Sequence, residues 1–598
     1  MDKLSIFDAI FSKDDGDDSA DYSGRKSFYT KEFSGSMTKR FQRLLSRPIF
    51  RFSRSVADFL SHISARVYGA TFFTLGFFSM VMYFLGFSFD NTILTPIIGG
   101  VICLISILLL IFDKPLPILL QDFAVTDYVF FEFFCMKRHN VLDSQRSFPL
   151  VFAVAIGFIP AIISAFVPLW QIALVIVIIV SVYVGMESPE FIFLLSLFAL
   201  PYLRYVDNYE IGLVIAVALC AISFARKVVY GKRVVCIEQY DIFLGLMMLF
   251  VLISGIFLKG VESFSGSVEM IILALGYMLA GNIITNRRLA ERAINAIVIS
   301  ASFAALISIG QLAYLLLTTI GTPTLNDFSG ILAREDGISV FFIAATVFSF
   351  GMIKQYGKLH RTIYTTVSIL CILGVVVSGE FFAFITLLIA GVVYIVLQAQ
   401  KGWIFAIPVL LFTPLLLLIL PDNILNMLFY YSPSIVSAER LYELWSNSFT
   451  VFINNFFVGV GIGSESFAEE MANLGMAGFA DSSNLLIEIG LEAGVFALLC
   501  FISMLLTRLR HRNVQYLYVK NSQMKSLVGI SGSCLFCLLA FGMLNYIWSD
   551  PCAYYLFWCI FGIGSALLRV VKKDFADKVL YYEEASALDS SVIDIQIG

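Results

Sequence analysis

The sequence predicts an all-α, polytopic transmembrane helical bundle of about 14–16 spans with one large extracytoplasmic loop; run length, backbone chemistry and charge placement each lead there. Of its 598 residues, 59% are hydrophobic and 14% charged, and the mean hydropathy is +0.87. Apolar runs of about 17–25 residues recur, the length a helix needs to cross roughly 30 Å of hydrocarbon. A helix satisfies its own backbone polar groups in lipid, and the alternating pattern of a membrane barrel is absent.

Met1 to Ser36 is polar, and Asp14, Asp15, Asp17, Asp18 and Asp21 give it the acidic composition of a disordered tail. Lys39, Arg40, Arg43, Arg47, Arg51, Arg54 and Arg66 follow, the pattern of a cytoplasmic juxtamembrane segment facing anionic headgroups. Spans are expected near residues 77, 102, 157, 176, 196, 218, 250, 275, 306, 345, 370, 388, 411, 496, 536 and 562. Pro189–Leu203 is short enough to be re-entrant. It is kept as a span because the basic Arg226–Arg233 loop would otherwise fall outside. Residues 119–136 mix acids with aromatics and are expected along the inner interface.

With the N-terminus inside, Met136–His139, Arg226–Arg233, Arg287–Arg292, Lys354–Arg361, Arg508–Arg512 and Lys572-Lys573 all lie inside, as the positive-inside rule requires. Both termini are then cytoplasmic. The outer surface keeps Arg204, Lys259, Arg334 and Arg440 as its cations. Cys534 and Cys537 fall within a spanning helix with no histidine nearby, which points to helix packing rather than a metal site. Only Cys552 is expected in an outer loop, so no outer disulfide framework is available.

The longest break in hydropathy on the outer side runs from Pro421 to Asn484. Arg440 is its only basic residue among seven acids. From Ser437 to Val458, Leu441, Leu444, Trp445, Phe449 and Phe452 recur at helical spacing, with Arg440, Glu443, Asn447, Thr450 and Asn454 opposite. Ser437 can cap this segment and Glu439 suits its first turn; the whole reads as an interfacial amphipathic helix with Trp445 at headgroup level. Gly459, Gly461 and Gly463 then permit a tight turn or close approach to a ligand. Ser466 and Glu469 form a candidate capping box for a short helix ending near Gly475. Asp481-Ser482-Ser483-Asn484 leads into the next span, Asn484–Leu506, which carries Glu488 and Glu492 in its first turns. Each feature also has a structural reading: a turn for the glycines, dipole pairing for the acids, a helix cap for Ser483 and Asn484, and pairing of Arg440 with Glu439 or Glu443.

This order of residues resembles the O-antigen ligase and O-antigen polymerase superfamily, multi-span bacterial proteins that join lipid-linked glycans outside the cytoplasmic membrane. The family's arginine, tryptophan, helix and Gly-x-Gly-x-Gly-like turn match Arg440, Trp445, Gly459, Gly461 and Gly463. Its His-Asn, nine residues and Gly-x-x-Gly correspond to Ser483-Asn484, nine residues, Gly494 and Ala497. Arg334 with Gly337 resembles the family's arginine before a span, and Gln311 sits late in the preceding helix. The chain departs from the family in two places. Ser378-Gly379-Glu380 lacks an expected arginine, and Ser483 replaces the histidine, with His62, His139, His360 and His511 all expected at the inner side.

The resemblance divides the chain into a cytoplasmic tail (1–66), two additional spans with an interfacial segment (67–148), a membrane core (149–571) containing the outer loop 421–484, and a cytoplasmic tail (572–598). It implies transfer or polymerisation of undecaprenyl-diphosphate-linked glycans at the bacterial cytoplasmic membrane, with the polymerase reading favoured by the missing histidine. The donor is a polyprenyl-diphosphate glycan and the acceptor a glycan or lipid; other glycan-assembly membrane proteins are implied partners. No cofactor, metal or nucleic acid is implied. Arg440, assisted by Arg334, is expected on the departing phosphates, since a guanidinium binds them bidentately. Asp481 is the expected base, with Glu488 and Glu492 behind it and Asn484 orienting the acceptor. The rival readings are a flippase or transporter, which calls for mid-membrane charges and repeats, and a non-catalytic scaffold of glycan assembly.

Overall fold

The computed structural model describes residues 62–87, 94–136, 148–203, 209–229, 233, 235–257, 261–318, 338–353, 358–378, 381–396, 404–405, 408–409, 438–475, 479, 481–519 and 522–571. The span expected near residue 411, Arg334 with Gly337, the loop start through Ser437 and both tails lie outside the described residues. Among those described, nine helices are long and apolar enough to cross a membrane, and shorter apolar helices accompany them. Each expected centre within the described residues falls in one of these helices. The chain is a multi-pass helical membrane protein.

Two compact units divide it. One comprises residues 17–192 and 219–233, and holds α1 (Ala65–Phe84), α2 (Leu94–Leu110), α3 (Leu150–Ile163) and α4 (Leu169–Glu187). Lipid offers no hydrophobic drive between helices, so small residues must let backbones approach. A Cβ on Gly76 would stand 2.8 Å from the Gly99 carbonyl oxygen, and one on Gly157 only 2.3 Å from that of Thr71. Residues 119–136 form short helical pieces, Leu116–Asp122, Ala124–Thr126 and a π-helical turn at Asp127–Phe133. None of these pieces is long enough to cross, in keeping with an interfacial segment. Glu190 is buried in this unit and pairs with Lys227 at 2.7 Å and Arg233 at 2.6 Å, so its charge is compensated twice.

The other unit comprises the described residues of 193–218 and 234–598. The boundaries fall within α5 (Pro189–Leu203) and α6 (Tyr209–Val229). Then come α7 (Gln239–Phe257), α8 (Val261–Ile283), α9 (Arg287–Thr318), α10 (Ile338–Met352), α11 (Lys358–Ser378) and α12 (Phe381–Val396). After the loop segment α13 (Ala438–Asn454) and α14 (Ser464–Asn473), the chain forms α15 (Leu485–Tyr518), α16 (Ser522–Gly542) and α17 (Pro551–Val571). Helices α16 and α17 are the centre of this unit, 89% and 94% buried over their spanning windows. Helices apolar on every side belong in such a core. Cys534 and Cys537 are buried in α16, where the Cys537 thiol meets the Thr386 carbonyl at 3.1 Å, a packing role. Cys552 is buried in the first turn of α17 rather than exposed in a loop.

Helix α13 is amphipathic, but its buried stripe is rotated from the expected one. Leu441, Leu444, Ser448, Val451 and Phe452 are buried, whereas Phe449 and Ile453 are exposed. Two apolar sectors explain the difference. One packs toward α15, where a Cβ on Gly490 would stand 2.9 Å from the Phe452 ring; the other remains open, as an interfacial helix requires. The proposed capping box does not form. Helix α14 begins at Ser464 behind Gly463 with no side-chain cap, which puts Ser466 inside the first turn. Gly475, at φ +81°, follows its end as expected.

Candidate functional site

The site is built on a break in α15. Gly494 interrupts the helix at φ 80°, ψ 176°, a conformation that essentially only glycine adopts. The break frees carbonyls that a continuous helix would use internally, and the glycine-rich segment supplies their donors. The Val460 N–H donates to the Leu491 carbonyl at 2.6 Å, the Gly461 N–H to Glu492 at 3.3 Å, and the Val495 N–H to Phe456 at 2.9 Å. A Cβ on Gly459 (φ +84°) would lie 2.4 Å from the Leu491 carbonyl oxygen. Gly459 N–H donates to Asn455, and Ile462 N–H to the Ser263 hydroxyl at 3.0 Å. The N–H groups of Val460 and Gly461 thus hold the loop against the broken helix, while Gly459 closes the end of α13.

The entry to α15 is ordered by its own side chains. Asn484 caps the helix: its Oδ1 accepts from Leu486 N–H at 3.1 Å and Ile487 N–H at 3.3 Å, while Nδ2 donates to the Met543 carbonyl at 3.0 Å. Ser483 sits at φ 51°, a left-handed conformation stabilised locally by Asp481, whose Oδ1 accepts from the Ser483 N–H at 2.8 Å. The Ser483 hydroxyl approaches the same oxygen at 3.4 Å. Glu488 is buried and accepts from the Ser482 N–H at 2.7 Å. Glu492, one turn on, accepts from the Tyr546 hydroxyl at 3.0 Å.

These acids share one cavity of about 360 Å³ within this unit, in the size range of small-ligand pockets. Asp481, Glu488, Glu492 and Gly463 line it from the loop and α15, Glu210 and Glu269 from α6 and α8, and Tyr546, Trp548 and Tyr554 from the α16–α17 connection and α17. Burial pushes the Asp481 carboxyl above the usual carboxylate range against the opposing Ser483 hydrogen bonds. Burial, with Glu492 and Glu488 nearby, also raises the Tyr546 phenol, which therefore stays protonated as a donor.

Of the residues singled out from sequence, Asp481, Glu488, Glu492 and Gly463 are brought together here. Arg440 is not among the cavity-lining residues; it is exposed at the start of α13, its guanidinium 5.1 Å from the Phe479 ring centroid, two positions before Asp481. Trp445 is half-buried against Tyr442, with ring centroids 5.8 Å apart, and is likewise not a lining residue. Sequence reasoning passed over Glu210, Glu269, Tyr546 and Trp548. Two signals were present: acids inside apolar runs, and aromatics clustered in the short connection between the last two spans.

Helices that cross a membrane, with carboxylates gathered between them beside an amphipathic loop helix, define a multi-pass membrane protein with a polar site for a small polar group. Residues 366–502 match the family model described as O-antigen ligase. That stretch is similar to the O-antigen ligase family, and the similarity supports a glycan-joining function in general. The stretch includes Arg440, Asp481, Glu488 and Glu492. Among curated proteins, none matches the chain.

Proposed function

We propose that the chain polymerises, or otherwise transfers, polyprenyl-diphosphate-linked glycans on the outer face of the bacterial cytoplasmic membrane, and that the acidic cavity receives the acceptor sugar. The observation that carries this reading is the convergence on one cavity of Asp481, Glu488 and Glu492, all three within the stretch matched as O-antigen ligase. Carboxylates accept hydrogen bonds from sugar hydroxyls, and Trp548 and Tyr546 offer apolar surface to a sugar ring. Asp481 takes the proton from the attacking hydroxyl, helped by the burial that raises its basicity. The hydroxyl oxygen then bonds to the donor's anomeric carbon as the bond to the lipid diphosphate breaks. Arg440 meets the departing diphosphate at the loop, with Arg334 assisting. Ser483 stands where the family carries histidine and orients the Asp481 carboxylate through two hydrogen bonds. In this reading the base has moved from imidazole to carboxylate, which favours a polymerase-like member.

One observation favours a second reading. Glu488 and Glu492 are buried carboxylates in a spanning helix, and such groups also mark ion-coupled transport. Arg440→Ala and Asp481→Asn in the host separate the readings. Loss of long glycan with short lipid-linked units accumulating on the outer leaflet is the expected result. Unchanged glycan refutes the assignment, and units trapped on the inner leaflet would indicate a transporter.

A further inference from the structure

The cavity has a one-sided charge. Glu210, Glu269, Asp481, Glu488 and Glu492 line it, and among the described residues no Lys, Arg or His lines it. Three of its lining residues, Glu269, Trp548 and Tyr554, carry a buried side-chain polar atom without a hydrogen-bond partner, and these atoms are of both kinds, donor and acceptor. The Trp548 indole N–H and Glu269 Oε1 are both buried without a hydrogen-bond partner, and Trp548 itself is 5% exposed. Native proteins satisfy nearly all such groups, so an orphaned donor and an orphaned acceptor lining one cavity point to a ligand that supplies both. An anionic ligand would face five carboxylates, and like charges so juxtaposed are strongly disfavoured. A cationic group would be met by all of them.

Resting on the acceptor-site reading above, we propose that the sugar seated in this cavity is an amino sugar with a free ammonium group, and that acidic sugars are excluded. The ammonium lies among the carboxylates with Glu269 Oε1 accepting from it. A ring hydroxyl accepts from the Trp548 indole N–H. Glu488 and Glu492 are held in place as acceptors by Ser482 and Tyr546, so their carboxyl oxygens are positioned for the ligand without rearrangement. The site thereby selects its acceptor by charge, whereas the donor is held at Arg440 by the opposite charge.

The test uses the full chain in nanodiscs of neutral lipid, titrated at neutral pH with the methyl glycosides of glucosamine, glucose and glucuronic acid. Binding is read by calorimetry or saturation-transfer NMR. The glucosaminide is expected to bind at least about tenfold more tightly than the glucoside, and the glucuronide not to bind. Glu269→Gln is expected to shrink the ratio of glucosaminide to glucoside affinity, and residual glucoside binding shows that the variant is folded. Trp548→Phe is expected to weaken both sugars that bind. Equal binding of glucosaminide and glucoside, or binding of the glucuronide, overturns the charge selection and leaves the acceptor site standing. Binding of no sugar, or binding indifferent to Trp548→Phe, overturns the acceptor site as well.

Discussion

Replacing Gly494 by alanine should detach the glycine-rich loop from the helix that carries the acids. At φ 80° and ψ 176° an L-residue bears a backbone strain of about 1–3 kcal/mol. The added Cβ would also lie 2.3 Å from the Phe457 carbonyl oxygen and 3.0 Å from the Val458 nitrogen, well inside contact distance. Relieving that overlap means withdrawing the segment that bonds Val495 to Phe456 and Val460 to Leu491, each worth about 1 kcal/mol net. The strain is therefore comparable to the ~2 kcal/mol these bonds supply, and by itself shifts the equilibrium between docked and detached loop by roughly 5–150-fold. Gly391→Ala is the control, because an added Cβ there meets nothing within 4 Å, and alanine is favoured over glycine in a helix by about 0.5–1 kcal/mol. Hydrogen exchange in detergent should show the amides of residues 456–463 deprotected in Gly494→Ala and unchanged in Gly391→Ala, with glycan joining lost only in the former. Protection and activity equal to the parent in Gly494→Ala would refute the claim that this break organises the site.

Three further outcomes follow from the same contacts. Because burial raises the Asp481 carboxyl, its ionised form is disfavoured in the folded protein; joining activity should rise as pH climbs through that elevated value, while the stability cost of ionisation is relieved as pH falls through it. Asp481→Asn should therefore abolish both activity and this acid limb without lowering stability at neutral pH; a retained acid limb would assign the base elsewhere. Tyr546→Phe removes the donor to Glu492 Oε2 and should cost about 1–3 kcal/mol in denaturant melts, since a buried carboxylate oxygen loses its partner; an unchanged midpoint would show that the bond contributes nothing. Asn484→Ala should cost about 1–2 kcal/mol by uncapping α15, and Asn484→Asp should restore the cap. If Asp also restores full glycan length, Asn484 serves only as a cap and the acceptor-orienting role fails.

The spans were legible because lipid imposes a length and an apolar composition that a sequence displays directly, and the apolar helices α1–α12 and α15–α17 coincide with the runs that predicted them. The acids Asp481, Glu488 and Glu492 could be picked out because charge is conspicuous next to an apolar span. Their companions could not. Glu210 and Glu269 lie more than two hundred residues away in sequence and join the cavity only through packing of α6 and α8. The glycine run was recognised, yet its role turned on a partner invisible to local reading, the broken turn at Gly494 whose carbonyls it satisfies. Ser466 was misassigned as a cap because the capping-box pattern ignores Gly463, which starts α14 earlier. In α13 the periodicity was right but the phase was not, since two apolar sectors compete and only packing against α15 decides which is buried.

Among the described residues, the buried charges sort themselves by what surrounds them. Glu190 is held by Lys227 and Arg233, and its burial is explained by structure alone. Arg508 lies over the Tyr240 and Phe561 rings, each centroid 5.6 Å away, so aromatic faces offset part of its desolvation. Glu488 and Glu492 have no such compensation: each accepts from a neutral donor, and they stand one turn apart with Asp481 and Glu269 lining the same cavity. A fold selected only for stability would replace such a pair, because apolar residues of similar volume cost nothing to bury. That these carboxylates sit beside a helix broken at Gly494, within the stretch matched as O-antigen ligase, makes function the economical explanation of their position. In the proposed reaction a diphosphate and a hydroxyl nucleophile would need opposite electrostatic surroundings, and the exposed Arg440, over the Phe479 ring two positions before Asp481, would meet the first need as Asp481 meets the second.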